Sequence, residues 1–552
     1  METTLLRKRY QMVESERSNI EGAFTAIERY VMPFSGKFDS PHDSEYEVDW
    51  RKRHLLDSTA VIANQNLAAN IHAGITSPVF QWFDFRFFEE ELNKQQESIT
   101  WLAECSRRVF FTLQQSNFNL EVNNVYLDLT GFGTGVLIEE VEEDESGDLK
   151  GITFQGVPMA EAFFEEDHKG HIRYFYRHLK WTPLQIYTKF GDEGTPAEIK
   201  EQAQTGSKVD DRISVIFAIF PRDDVKVQPG AKILDKLKRP FGSKYFLLKD
   251  GDMLGEEEGY YEMPAFIPRW RRTTGSKWGH SPGMICLSDV LTVNALVELT
   301  LKAAEKVVDP PILTTRRGVF GDIDLDASGV TVVSGLEALK VFESGARFDV
   351  SSLQKADLQQ SIRQTFFMDQ LQLKESPAMT ATEVQVRYEL MQRLMGPTLN
   401  QLQYDFLDPL VQRTFRILYR YNKLPETPSL IKRVDADLQV EYLGPMSRAQ
   451  KADQVASVER WLGTLAQFFE AYPQLADIPN VDEAGRFLGN AGGVPPELIN
   501  SIAKIKSLRK EKEKAAENQQ KLNQAEQVSN IVKNVGGKEA ISGKGGEAAK
   551  AA

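Results

Sequence analysis

The chain has 552 residues, 41% of them hydrophobic, 10% aromatic and 26% charged. It is therefore long enough for three or four structural units and apolar enough to bury their cores, which excludes wholesale disorder and a small disulfide-stapled module. A net charge of −13, from 66 Lys and Arg against 79 Asp and Glu, excludes the broad basic footprint of a protein that grips nucleic acid by its phosphates.

Cys105 and Cys286 are the two cysteines, so neither a disulfide framework nor a cysteine-based zinc site is expected. No apolar run is long enough to span a bilayer, and Met1 to Tyr10 is charged without an apolar signal core, so a soluble chain with no membrane partner is expected.

In chain order, Asp57 to Ile75 reads as a helix with Ala60, Ala63 and Ala68 on one face, a pattern for close helix packing. Ile152 to Phe154, Ala162 to Glu165, Ile172 to Leu179, Ile213 to Phe220 and Tyr245 to Leu248 are β-branched and aromatic runs broken by turns such as Asp167-His168-Lys169-Gly170. They predict antiparallel sheet, and the fold class is α+β.

Ser281-Pro282 supplies a cap and a first-turn proline, and Ile285, Val290, Val293, Val297 and Leu301 continue to Asp309-Pro310-Pro311. One helix of roughly 26 residues, about 40 Å long, is predicted. Turn and strand signals over Ile312 to Val350 precede a helix over Ser351 to Leu373. Thr380 and Glu383 have capping-box spacing ahead of Val384, Tyr388, Met391 and Met395. Gly396-Pro397 and Pro409 should bend that helix while Leu402, Phe406, Leu410 and Phe415 prolong its stripe. Ser447 is expected to cap a last helix carrying Val455, Val458, Leu462, Leu465 and Phe469 on one face. From Ser501 onward 11 Lys and Arg face 6 Asp and Glu, net +5, leaving −18 on the first 500 residues. This tail reads as a solvated helix fraying into a Gly, Lys and Ala-rich end.

The residues offer little chemistry. Gly537 to Gly545 lacks the spacing and the Ser or Thr of a P-loop, and Gly131-Phe132-Gly133-Thr134-Gly135 lacks the third glycine of a dinucleotide turn, so it reads as a tight backbone passage. His168, His171 and His178 match no zinc spacing, and the acidic run Glu139 to Glu145 reads as a solvated hairpin tip. No catalytic residue, cofactor or metal is expected. Arg269-Trp270-Arg271-Arg272, with Lys277-Trp278, is a basic and aromatic cluster suited to a subunit interface and, second to that, to DNA contact.

The order of motifs resembles a known family, the podovirus head-to-tail connecting proteins, which are the portal proteins of short-tailed phages. The landmarks run from Asp57-Ser58-Thr59, Leu67-Ala68-Ala69, Ser77-Pro78 to Trp82-Phe83 and Ser116-Asn117-Phe118 through Asp128 to Gly135. They continue with Pro268-Arg269-Trp270, Trp278 to Pro282, Asp289 to Asn294 and Pro310-Pro311. Thr380 to Val384, Arg387, Gly396-Pro397, Pro409-Leu410, Tyr442 to Pro445 and Ala449-Gln450 complete the series.

The resemblance implies a ring, usually a dodecamer, at one vertex of a phage head, assembled in the host cytoplasm with capsid and scaffold proteins and retained in the virion. Double-stranded DNA would pass through it without sequence-specific contact. The terminase large subunit and then a tail adaptor protein would dock on it.

In that plan residues 1–280 form the wing, 281–308 a first stem helix packed through Val290, Val293 and Val297, and 309–350 the clip, with Arg316 and Arg317 at the docking surface. Residues 351–373 would be the second stem helix, 374–379 a tunnel loop presenting Lys374, Glu375, Ser376 and Met379, 380–446 more wing, and 447–552 a crown or barrel with a flexible tail. The competing expectations are a packaging enzyme, for which no nucleotide loop or carboxylate cluster is present, and an internal or scaffold virion protein without a channel.

Overall fold

The computed structural model describes residues 1–34, 55–144, 146–206, 211–222, 225, 234–308, 312–314, 339–341, 348–368, 395–428, 438–442, 445–468, 472, 479–491, 504–515 and 518. These divide into two compact units, Met1–Glu90 with Trp101–Arg448, and Glu91–Thr100 with Ala449–Ala552. The first unit is mixed helix and sheet, as expected of an α+β chain.

Helix α1, Thr3–Tyr30, is an element that the charged opening residues concealed. Its apolar stripe, Leu6, Tyr10 and Val13 at i, i+4 and i+7, packs with Phe163, Tyr176, Ile216, Ala218, Phe220 and Phe246. Arg17 falls on the same stripe and is buried, because its guanidinium donates to the carbonyls of Met159 and Ala162 at 3.0 and 3.1 Å and lies 4.0 Å over the Phe163 ring. Helix α2, Thr59–Ile75, buries Ala60, Ala63 and Ala68 as its small-residue face requires.

Strand β1 is Phe83–Phe87, helix α3 Gln96–Gln115 and helix α4 Phe118–Phe132. Strands β2 (Leu137–Glu143) and β3 (Leu149–Gly156) form a hairpin. Next come β4 (Ala162–Glu166), β5 (Ile172–Trp181), helices α5 (Pro183–Phe190) and α6 (Ala197–Thr205), β6 (Ile213–Pro221), β7 (Phe241–Leu247) and β8 (Met253–Tyr260). Strands β4 to β8 make a five-stranded antiparallel sheet in sequence order. The predicted runs therefore form sheet, but β3 belongs to a separate sheet of order β3-β2-β9, where β9 is Ala265–Phe266. The β4–β5 turn is closed by Asp167, whose Oδ1 accepts from the Lys169 and His171 amides, and by Gly170 at φ 84°.

Ser281 caps α7, Pro282–Ile285, by accepting from the Met284 amide at 2.9 Å. The expected single helix is interrupted at Cys286 and resumes as α8, Leu287–Val308, 22 residues and about 33 Å long. It stops where Asp309-Pro310-Pro311 begins. Strands β10 (Ile312–Thr314) and β11 (Leu339–Val341) pair antiparallel, and α9 runs over Phe348–Thr365. Against the expected span of Ser351 to Leu373, the helix starts earlier, at Phe348, and is interrupted after Thr365, where buried Phe366 anchors the chain and Phe367 turns it at φ 56°; Met368 is helical again, and residues 369–373 lie outside the described residues. No glycine marks the spot in the sequence.

Residues 395–402 are helical, Gln403–Leu407 widen into a π-turn, and α10 follows over Asp408–Arg420. The wide turn sits one turn ahead of Pro409, which has no N–H to give to Asp405. The expected bend is thus a π-turn within a continuous helix, and the capping-box start at Thr380 lies outside the described residues. Strand β12, Leu438–Tyr442, pairs with β1.

Helix α11, Pro445–Phe468, enters the second unit. It begins at Pro445, so Ser447 stands in its first turn rather than at the cap, since proline's fixed φ suits the first helical position. Val455, Val458, Leu462 and Leu465 are its half-buried side, whereas Trp461 and Phe468 are exposed. Helix α12 is Val481–Ala491, and residues 504–515 are helical, with Arg509 paired to Asp482.

Candidate functional site: a glycine-sealed junction below a long helix

Three stretches distant in sequence meet at the end of α4. Gly133 ends that helix at φ 81°, which only glycine adopts without strain. Its carbonyl accepts from the Trp270 amide at 2.9 Å, and the Gly135 amide donates to the Pro268 carbonyl at 3.1 Å. The Gly279 amide donates to Thr134 Oγ1 at 3.1 Å, and Ser281 Oγ donates to the Gly131 carbonyl at 2.6 Å. There is no room for side chains: a Cβ on Gly133 would stand 2.3 Å from the Gly279 carbonyl oxygen, and one on Gly279 would stand 2.0 Å from that of Gly133. The tight backbone passage is therefore a seam that fixes where α7 and α8 leave the body.

Arg269 locks the seam. It is 2% exposed, its Nε lies 2.9 Å from Asp405 Oδ2, and it also pairs with Glu166, to which Arg272 reaches at 2.8 Å. Burial opposes its charge, but the Asp405 and Glu166 carboxylates more than offset this and hold the guanidinium above the usual arginine range. Gln401 donates to the same Asp405 oxygen at 2.7 Å, so the π-turn ahead of Pro409 is what presents Asp405 to Arg269. Trp270 is buried, and Trp278 packs edge-on against Phe24 and Phe164 at 5.7 and 4.8 Å. Arg269 and Trp270 are thereby removed from the surface, which corrects the reading of the whole cluster as an interface; Arg271 and Arg272 remain exposed.

Above the seam, α8 is tied to the body by polar clasps. Asn294 Oδ1 accepts from the amides of Leu56 and Asp57 at 2.9 and 3.1 Å. Ser361 of α9 donates to Asp289 at 2.7 Å, and the Asp289 carboxylate in the first turn also complements the helix dipole. Val290 and Val293 are fully buried and Val297 half-buried within the chain. The opposite side of α8 is unfinished: Leu291 and Leu299 are 40% and 64% exposed. Ile285, expected on the buried stripe, is 63% exposed because the break at Cys286 turns it out of register; Leu301 keeps the register of that stripe, four residues after Val297, and is 56% exposed beyond its buried part.

The acidic run is also divided. Glu139 is buried, 3.1 Å from Arg413 Nε, and accepts from Thr414 Oγ1 at 2.9 Å, while Arg420 binds Glu262 at 2.6 and 2.8 Å. Burial pushes the Glu139 carboxyl up to about 7 against the pull of Arg413. Among the described residues of the run only Glu142, Glu143 and Asp144 are exposed as a solvated tip, and Glu145 lies outside the described residues. His168 and His171 are exposed near the β4–β5 turn, whereas His178 Nδ1 packs 3.0 Å from the Tyr10 hydroxyl. Arg316, Arg317, Lys374, Glu375, Ser376 and Met379 lie outside the described residues.

Gly131, Gly133, Gly135, Pro268, Arg269, Trp270, Gly279, Ser281, Asp289 and Asn294 of this seam and its clasps fall within the family landmarks. A family model, bacteriophage head to tail connecting protein, matches residues 3–499. The chain belongs to that family. It is 28% identical over 536 residues to the probable portal protein of Bordetella phage BPP-1, covering 95% of this chain and 94% of that one. It is 24% identical over 526 residues to the portal protein of Salmonella phage epsilon15, covering 93% and 91%. For a connector of this family, the seam is the base on which the long helix stands. No helix among the described residues is long and apolar enough to cross a membrane.

Proposed function

We propose that the chain is a phage portal, a head-tail connector of the virion, and that it works as a ring through which double-stranded DNA enters and leaves the head. The family match over residues 3–499 carries this reading. The exposed Leu291 and Leu299 on the side of α8 away from Val290 and Val293 support it, since a helix finished on one side and apolar on the other suits packing against copies of itself. In this reading residues 281–308 and 351–373 are the stem, 309–350 the clip, and 374–379 the tunnel loop. The wing is 1–280 with 380–446, and the crown 447–552. The ring is a dodecamer, the terminase large subunit and tail adaptor dock near Arg316 and Arg317, and capsid and scaffold proteins surround the wing.

The function is mechanical. A net charge of −13 leaves phosphates weakly held, so DNA slides instead of being trapped by counterion release. The exposed Arg271 and Arg272 are assigned to the subunit interface. The test is native mass spectrometry with imaging of purified particles. A closed, pierced ring supports the proposal; monomers, rods or unaided ATP hydrolysis overturn it.

A further inference from the structure

A cavity of about 300 Å³ opens within the first unit beside α2 and α4. Its walls include Met32, Val61, Val125, Phe132, Val157 and Met159, all buried. Its polar lining is rich in acceptors. Asn64, 1% exposed, lines the cavity with an Oδ1 that has no hydrogen-bond partner, its amide nitrogen being turned to the Leu127 carbonyl at 3.4 Å. Asp128 lines it too, with no ion pair or hydrogen bond to its carboxyl among the described residues. Glu121 completes the set, one of its carboxylate oxygens taking the Gly156 amide at 2.8 Å.

Orphaned acceptors over apolar walls call for a ligand that brings N–H donors on an alkyl stem. We infer that this cavity binds one alkylguanidinium or alkylammonium group, the cationic end of an arginine or lysine side chain or of a small free amine. The stem would lie on Val61, Val125 and Met159, and the head would meet Asp128 and Asn64 Oδ1. The volume is at the lower end for small-molecule sites and suits one such group rather than a nucleotide. The site is independent of the proposed ring.

The state of Asp128 makes a second signature available. Asp128 is half-buried, and desolvation pushes its carboxyl up to about 8, which favours the protonated form at neutral pH. A bound cation requires the carboxylate and must displace that proton. Affinity should rise nearly tenfold from about pH 6 to 7 and level off above about 8, with close to one proton released per cation at pH 7.

The experiment is calorimetric titration of the full chain with propylguanidinium chloride, in two buffers of different ionisation heat and against sodium chloride at equal ionic strength. Saturable one-to-one binding with proton release, lost in Asp128→Asn and weakened in Asn64→Leu, is the expected result. Heats no larger than those of sodium chloride, or an Asp128→Asn variant that binds like the parent, overturn the inference. Should Asp128→Asn fail to fold, proton release by the parent chain decides alone, and its absence is fatal. Repeating the titration across protein concentrations separates the sources. Binding that is lost on self-association identifies the group as a side chain of a second copy, and binding that persists identifies a free cation; both support the site.

Discussion

The seam at Gly133 and Gly279 and the outward side of α8 stand next to each other and obey opposite rules. In the seam, backbone touches backbone and every charge on Arg269 is answered within the chain. Along α8, Val290 and Val293 are finished inside while Leu291 and Leu299 meet solvent. The difference separates what the single chain must complete to fold from what it leaves for assembly.

The largest effect should come from closing the seam. Gly279→Val places side-chain atoms where the Gly133 carbonyl already sits, and no rotamer relieves a clash of Cβ with backbone. The expected result is loss of soluble folded protein, a destabilisation above about 4 kcal/mol, read by yield and thermal unfolding. Arg269→Ala comes next. It leaves Asp405 buried without a cation, Glu166 keeping Arg272, and should cost about 3–5 kcal/mol in denaturant unfolding, with much of the loss recovered when Asp405→Asn is added.

On the outward side the balance should reverse. Leu299→Glu should change the unfolding free energy of the single chain by no more than about 0.5 kcal/mol, because the side chain is already in water. It should nevertheless abolish large particles in native mass spectrometry. An intact assembly would remove this side of α8 from the interface, and an unfolded chain would mean that the two regions are not separable. By contrast Val293→Asp tests the fold rather than the assembly, since Val293 is buried within the chain.

A separate test is a pH slope at the cavity. Asp128 is protonated in the fold up to about pH 8 but ionises near 3.8 when unfolded. Its contribution is complete below about pH 4 and is lost as pH rises toward 8, because the unfolded state gives up its proton first. Thermal unfolding of Asp128→Asn should therefore fall less steeply than the parent between pH 5 and 8; parallel curves would place the carboxyl in ordinary solvent.

Local signals were legible where neighbours in sequence are also neighbours in space. The small face of α2, strands β4 to β7 of the five-stranded sheet, the Ser281-Pro282 start and the stop at Asp309-Pro310-Pro311 all follow from spacing, capping and proline chemistry. The break at Cys286 and the left-handed Phe367 carry no glycine or proline of their own to announce them. Helix α1 was hidden by Arg17, whose charge interrupts an apolar stripe that its hydrogen bonds to Met159 and Ala162 make continuous in space.

By itself the sequence determined the α+β class, the family and about half of the regular elements among the described residues, since these depend on periodicity and on residues that force or forbid a backbone angle. Tertiary structure alone decided which charges are inside. Arg269 finds Asp405 136 positions away, and Glu139 finds Arg413 from across the fold. Whether a charge is solvated or neutralised depends on what the folded chain brings within about 4 Å of it, and no local pattern records that distance.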